Sequence, residues 1–405
     1  MRKFRKGLMV FSISAAMVLT LISCGKKQET TEDDGTFDAN SERIQKKTDE
    51  INGIVDKYFY FDTDSKKQEE DYYDGLMAGL DDPYSVYYTP EQYAEQQKDD
   101  EGKYEGIGAV VSKNYDTGEI YVVNPIAGSP AEEAGLLPDD VFVQIDDLEL
   151  TVDYTLDAAV ARIRGKDGTT VHLKMYRPGD KEFYEFDIQR REIENVTVEH
   201  EMLDGNIGYI KVSQFIVPTA GHFKEAVDDL TDQGMKGLVI DLRGNPGGLV
   251  DSAVEMCDYI IADDSSVPGG AGKGMVVYTE DKNGNVIDEN KCSDGHSVDV
   301  PIVLLVNGNS ASSSEIFTGC MKDYGKATIV GTQTYGKGIV QIIHPLSDGS
   351  AIKLTIAKYF TPAGNDIHEV GIAPDVEVEL DESLKTKVRI DHDEDNQLQE
   401  ALKQF

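Results

Sequence analysis

The chain has no tryptophan and only 4 cysteines among its 405 residues. So few thiols exclude a disulfide-stapled scaffold, and no two of them form a CxxC or any spacing suited to zinc. Positive charge is scarce as well: 39 Lys and Arg stand against 75 Asp and Glu, a net charge of −36. Phosphate backbones need a basic face, so nucleic acid is excluded as a partner. No GxSxG and no HExxH occurs, so neither a hydrolase elbow nor a zinc protease is signalled. No metal and no other cofactor is expected. The closing acidic stretch "DHDEDNQLQEALKQF" lacks the loop glycine and terminal glutamate of an EF-hand, and reads as a solvated face rather than a calcium site.

What is present begins with a basic start, Arg2, Lys3, Arg5 and Lys6, before the apolar run "GLMVFSISAAMVLTLIS". A basic opening, a short apolar stretch and small residues at its end read as an export signal, too short for a comfortable membrane span. The run closes in "LISC", Leu21 to Cys24, which resembles a bacterial lipobox whose cysteine becomes the lipidated new N-terminus. Residues 1–23 are therefore expected to be a lipoprotein signal peptide and Cys24 a lipid anchor to the membrane. The alternatives are a cleaved, secreted product or an uncleaved anchor. The lipid anchor and the uncleaved segment place the protein in the cell envelope, the cleaved product is secreted, and all three lie outside the cytoplasm. Its negative charge suits life at a negatively charged cell surface without adhering to it.

Organisation changes three times along the rest. Residues 24–40 are polar and non-periodic, a tether. Residues 41–102 read as helices: Ile44, Ile51, Ile54, Val55, Tyr58 and Phe59 recur at helical spacing, and "LDDPYSVYYTPEQYAEQ" is a turn followed by a helix with Thr89 as N-cap, Pro90 first and Gln92 behind it. Residues 103–191 hold five or six short strands and two short helices, a small α+β or capped-barrel domain. Residues 192–380 alternate strand and helix, which implies a mostly parallel sheet with helices across it, and 381–405 form an acidic helical tail. Cys257 and Cys320 fall on apolar helical faces and read as core packing. The helical segments at the two ends are candidate contacts for a homodimer.

Active sites of open α/β sheets lie at the carboxyl ends of strands. Three such ends carry unusual residues. In "VIDLRGNPGGLV", Gly247 and Gly248 let backbone N–H groups approach a ligand beside a helix N-terminus, although a tight turn alone would explain them. In "NGNSASSSEIFTGC", four serines fill five positions between an apolar strand and a helix. Helix capping explains one; a nucleophile at that junction, with the next amide aimed at a developing oxyanion, explains more. In "GTQTYGKGIVQ", Lys337 lies between glycines ahead of an apolar strand. Most lysines are solvated, but one buried there would have its pKa driven down and could act as a base for a hydroxyl. His344 and His368 remain as a weaker Ser-His alternative.

Taken in order, these segments resemble the carboxy-terminal processing proteases, PDZ-containing serine peptidases with a Ser-Lys dyad. "LDDPYSVYYTPEQ" resembles their N-terminal helical segment. "YEGIGAVV", "VVNPIAGSPAEEAGLLPDDVFVQID" and "IRGKDGTTVHLKMYR" resemble their PDZ domain. "DLRGNPGGLV", "NGNSASSSEI", "GTQTYGKGIVQ" and "YFTPAGNDIHEVGIAPDVEV" resemble their protease core. The resemblance implies a crotonase-like core with an inserted PDZ domain. It implies that Ser312 is the nucleophile, Lys337 its base and Gln341 the amide that orients the lysine. Oxyanion donors would be Ser313 and the Gly247–Gly248 turn. Gly106, Ile107 and Gly108 would offer backbone amides to a substrate's C-terminal carboxylate.

The expected activity is therefore that of an envelope serine endopeptidase acting on proteins with free, apolar C-termini. A catalytically silent PDZ scaffold that only binds tails is the alternative; an acyl-CoA enzyme of crotonase type would need neither the dyad nor the PDZ domain. Two departures from the family pattern stand out. Ser313 replaces the usual alanine, so its hydroxyl is expected to compete for the lysine. Asp139 replaces a glycine of the PDZ pattern, which is expected to alter that turn.

Overall fold

A computed structural model describes residues 38–114, 117–126, 128–385, 387 and 390–405; Cys24 and most of the tether lie outside these. The chain divides into two compact units at Asp64 and Ser65. The described part of the first is the helix Glu42–Tyr58, which has an amphipathic sequence but buries no residue, leaving Ile51 and Ile54 exposed. No helix among the described residues is long and apolar enough to cross a membrane.

The second unit opens with the helices Ser65–Ala78 and Pro90–Asp100. The latter starts as its sequence predicts: Thr89 Oγ1 accepts the Gln92 N–H and the Gln92 side chain accepts the Thr89 N–H, closing a capping box behind Pro90. Between these helices lies a feature the helical reading of 41–102 did not contain. Val86–Tyr88 is a strand, paired antiparallel with Ala351–Lys353.

The segment that follows is a small antiparallel sheet, ordered Ala109–Lys113, Ile120–Pro125, Val141–Ile145, Thr170–Arg177 and Glu182–Gln189. Val171, Leu173 and Met175 alternate inward with period two onto Ile120, Val122, Phe142 and Ile145. The short helices Pro130–Glu133 and Leu156–Ile163 cap it, each begun by a hydroxyl, Ser129 and Thr155, that accepts an amide of the first turn. Asp139 stands where the family pattern has glycine. It takes the left-handed conformation itself, at φ 68°, which aspartate tolerates better than most residues. Next to it the fully buried Asp140 binds Arg177 through two bonds of 2.7 Å.

The core carries two sheets. The first is ordered Val198–Leu203, Ile207–Val212, Gly237–Asp241, Ile302–Val306, Ala327–Gly331 and Val376–Glu377, antiparallel at its first pair and parallel thereafter. Its two central strands are buried at every position, which is why they read as unbroken apolar runs. Leu238, Ile240 and Leu304 face the helices Thr219–Asp232, Val250–Ile260 and Ser313–Asp323, whereas Val239, Val303 and Leu305 face the helix Asn396–Leu402. The second sheet is antiparallel and was not foreseen; Ala351–Phe360 pairs with Val86–Tyr88, Met275–Glu280 and Ile339–Pro345. Cys257, Cys292 and Cys320 are buried free thiols, and burial pushes Cys292 up to about 12.

In the closing acidic stretch Asp391, Asp393 and Glu394 are exposed, as a solvated face requires, but Asp395 is not. Asp395 is 4% exposed, caps the last helix through the Gln397 and Leu398 amides, and binds Arg243 at 2.7 and 3.0 Å. Arg243 also binds the buried Asp241 at 2.6 Å, and the two neighbouring carboxylates hold the guanidinium well above its usual pKa against the effect of its burial. Removing one partner of such a pair strands a buried charge. Asp395→Ala should therefore cost about 3 kcal/mol in urea unfolding; a loss under a few tenths would show that the pair is not holding the tail.

Candidate active site

The serine run sits where the central strand Ile302–Val306 gives way to the helix Ser313–Asp323. Three of its four hydroxyls are committed to the fold. Ser310 Oγ donates to the Leu242 carbonyl at 2.8 Å, Ser313 Oγ to Gly248 at 2.8 Å and Ser314 Oγ to Asn245 at 2.9 Å. All three serines are fully buried. They bind the segment after strand Gly237–Asp241, whose carbonyls leave regular pairing and would otherwise be buried without donors. Ser312 is the exception. Its hydroxyl donates to no acceptor among the described residues, and its backbone stands at φ 57°, ψ −117°. That conformation costs a non-glycine residue about 1–3 kcal/mol and persists only where the surroundings enforce it.

The enforcement comes from Glu315, which has no exposed surface. Its Oε2 accepts the backbone N–H of Ser312 at 2.9 Å and that of Lys337 at 2.8 Å. Its Oε1 accepts Thr334 Oγ1 at 2.6 Å and the Gly336 N–H at 2.7 Å. From the other side the buried Tyr359 hydroxyl donates to the carbonyls of Ser312 and Lys337. The backbones of the two residues are thus fixed to each other at both peptide ends. Neither Glu315 nor Tyr359 was singled out from sequence. The only available signal was a Glu three residues after a serine, a pattern shared with every capping box.

The glycine turn meets this cluster. A side chain at Gly247 would come within 2.6 Å of the Ala311 carbonyl oxygen, 2.8 Å of Ser312 Cβ and 3.0 Å of the Ser313 nitrogen. Gly248, at φ 142°, lies against the Phe215 carbonyl with no room for a Cβ. The Gly247 N–H is already spent, donating to Asn245 Oδ1 at 2.8 Å. The N–H groups of Gly248 and Ser313 have no acceptor among the described residues. Of the three expected oxyanion donors, Gly247 is therefore corrected to a turn residue, and Gly248 and Ser313 remain. The Ser313 hydroxyl does not compete for the lysine either; it orients the Gly248 peptide.

The Lys337 and Gln341 side chains are not on the serine. No hydrogen bond joins Lys337 Nζ to Ser312 Oγ or to Gln341; the ammonium lies 4.7 Å from the centre of the Tyr84 ring. Gln341 Nε2 donates instead to Thr355 Oγ1 at 3.3 Å, beside an irregularity in the pairing of its strand. Burial holds the Lys337 amine below the ordinary lysine range, with the Lys353 charge adding to that, while Asp82 and Glu315 pull the other way. Neither histidine is hydrogen-bonded to Ser312. His344 is exposed on its strand, and His368 Nδ1 is buried without a partner while its backbone packs against Gly338.

Just ahead of the first strand of the small sheet, Gly106, Ile107 and Gly108 line a groove of about 370 Å³ that also takes in Ile126, Val160 and Arg164. The N–H groups of Ile107 and Gly108 have no acceptor among the described residues, while the Gly108 carbonyl is held by Ser129 Oγ at 2.8 Å.

A groove with two unpaired amides on a small β-domain, joined to an α/β core with a strained serine and a half-buried lysine, defines a PDZ-bearing serine peptidase architecture. The comparisons agree. The family model for Peptidase family S41 matches residues 206–378 and that for a PDZ domain matches 121–177. The chain is 37% identical over 350 residues to the carboxy-terminal processing protease CtpA of Bacillus subtilis (strain 168), covering 86% of this chain and 71% of that protein. It is 36% identical over 344 residues to the carboxyl-terminal-processing protease of Synechocystis sp. (strain PCC 6803), covering 83% and 77%. It is 37% identical over 333 residues to a "Probable CtpA-like serine protease" of Staphylococcus aureus (strain COL), covering 82% of this chain but only 64% of that longer protein. A crystal structure of an S41 protease from Bacteroides fragilis NCTC 9343 shares the fold, with TM-score 0.58 at 17% identity over 85% of this chain and 92% of that one. The chain belongs to the carboxyl-terminal processing protease family.

Glu315→Gln keeps the volume but turns an amide N–H₂ toward two N–H or O–H donors. It should cost about 2–4 kcal/mol in thermal or urea unfolding. Unchanged stability would mean that the carboxylate is not the tie between the two segments.

Proposed function

We propose that the protein is a serine endopeptidase that captures protein C-termini in its PDZ groove and cleaves through an acyl-enzyme on Ser312. The observation that carries this reading is the division among the serines: three hydroxyls donate to the fold, and the fourth has its proton uncommitted on a strained backbone beside two unsatisfied amides. Neutral Lys337 takes the Ser312 proton as Oγ bonds to the peptide carbonyl carbon. The oxyanion forms against the N–H groups of Gly248 and Ser313. Protonated Lys337 then gives its proton to the leaving amine as the C–N bond breaks, and water hydrolyses the ester. The lysine side chain has to leave Tyr84 for this, and Gln341 is the residue placed to orient it once turned. Substrate tails would lay their carboxylate on the Ile107 and Gly108 amides and their apolar side chains against Val111, Ile126 and Val160. From "LISC" we further infer export and a lipid anchor at Cys24, which Cys24→Ala would abolish, moving the protein from the membrane to the soluble fraction.

Ser312→Ala and Lys337→Ala should each lower kcat/KM on an unfolded protein ending in apolar residues by at least about a thousandfold. Tail binding without cleavage by the parent protein would instead establish the silent scaffold. The rate depends on the neutral amine, so activity should rise with pH through Lys337 deprotonation and then level off, with a midpoint below the ordinary lysine value of about 10.4. A rate that falls across that range would remove Lys337 as the base.

A further inference from the structure

The segment Asp82–Tyr88 is remote in sequence from the core residues it touches. It is locked onto the strand Ala351–Phe360: Val86 pairs with Lys353, and Ser85 Oγ accepts the Thr355 N–H at 3.0 Å. Thr355 Oγ1 in turn accepts Gln341 Nε2. The turn itself is closed by Asp82, whose carboxylate accepts Ser85 Oγ at 2.6 Å and the Tyr84 N–H at 3.1 Å. This presents the face of the Tyr84 ring to Lys337 Nζ at 4.7 Å, within cation–π reach, with the Asp82 charge behind it. Lys337 therefore has a resting berth that is neither Ser312 nor Gln341, built by residues from the far end of the chain.

We propose that Tyr84, supported by Asp82, is a positioning residue that holds Lys337 as the ammonium ion away from Ser312 and releases it on deprotonation, so that this turn sets the pH at which the base becomes available. The inference rests on the reading of Lys337 as the base. Its physical basis is selective: a ring face attracts the cation and has almost no such attraction for a neutral amine. The other charged groups that face the amine are Lys353, which disfavours its charge, and Glu315 and Asp82, which favour it. Glu315 is committed to four backbone and hydroxyl donors, and Lys353 lies over Tyr88 at 5.5 Å. Tyr84 and Asp82 are thus the groups that can be changed without dismantling the Ser312–Lys337 backbone tie.

The test is the pH profile of kcat/KM for the full chain on fluorescein-labelled casein. Tyr84→Leu keeps apolar bulk over the amine but removes the ring face, and should move the acid limb to lower pH by about half a unit. Asp82→Asn should move it in the same direction, and Tyr84→Phe, which keeps the ring, should leave it in place. A uniform fall in rate with an unmoved limb, or a limb moved to higher pH, overturns the proposal. Should Tyr84→Leu fail to fold, Asp82→Asn decides by the same sign. If the parent protein shows no acid limb, or Lys337→Ala remains active, the base reading fails first and carries this proposal with it.

Discussion

The carboxylate of Glu315 is the contact on which the geometry of the site depends. A carboxylate offers about four acceptor positions, and here all are taken by donors within one enclosed volume. One of those donors belongs to the start of a helix, and three of the four are backbone N–H groups that regular pairing leaves unsatisfied. Its charge also sits in the first turn of Ser313–Asp323, where the helix dipole favours an anion. The same group therefore satisfies the helix start, closes the turn at Gly336 and Lys337, and holds Ser312 in a backbone conformation that it would not adopt alone. Tyr359 repeats the tie from the carbonyl side. Positions far apart in the chain become parts of one rigid unit, and only the lysine side chain beyond it is left to move.

The glycine turn is fixed by similar means. Asn245, with no exposed surface, donates from Nδ2 to the Val212 carbonyl at 2.9 Å and accepts the Gly247 N–H, while its own carbonyl takes the Ala311 N–H and the Ser314 hydroxyl. One side chain thus spends the Gly247 amide and leaves that of Gly248 facing outward. The absence of a Cβ at 247 and 248 lets two strand ends approach to a distance at which any other residue would collide with the backbone. Small residues here serve proximity before they serve flexibility.

Much of this was legible in the residues. The continuous apolar runs of Gly237–Asp241 and Ile302–Val306, the alternation of Thr170–Arg177 and the Thr89 capping box each encode their structure within a few neighbouring positions. The segments Gly247–Gly248, Ser312 and Lys337 could be picked out as strand ends bearing unusual residues, and they do meet. What escaped depends on partners distant in sequence. Val86–Tyr88 is three residues long, and only its pairing with Ala351–Lys353 makes it a strand. Asp395 reads as one acid among many until Arg243 is seen to need it. The direction of the Ser313 hydroxyl, and the resting place of Lys337 against Tyr84, are side-chain choices between acceptors or faces that no local pattern distinguishes.

The left-handed backbone at Ser312 sets selection for stability against selection for chemistry. Every neighbour of that residue is arranged to impose a conformation that glycine would adopt without strain. A lineage that needed only a durable fold would gain by losing the hydroxyl at this position. With serine at that position the chain gives up stability locally, and the concession is confined to a single residue.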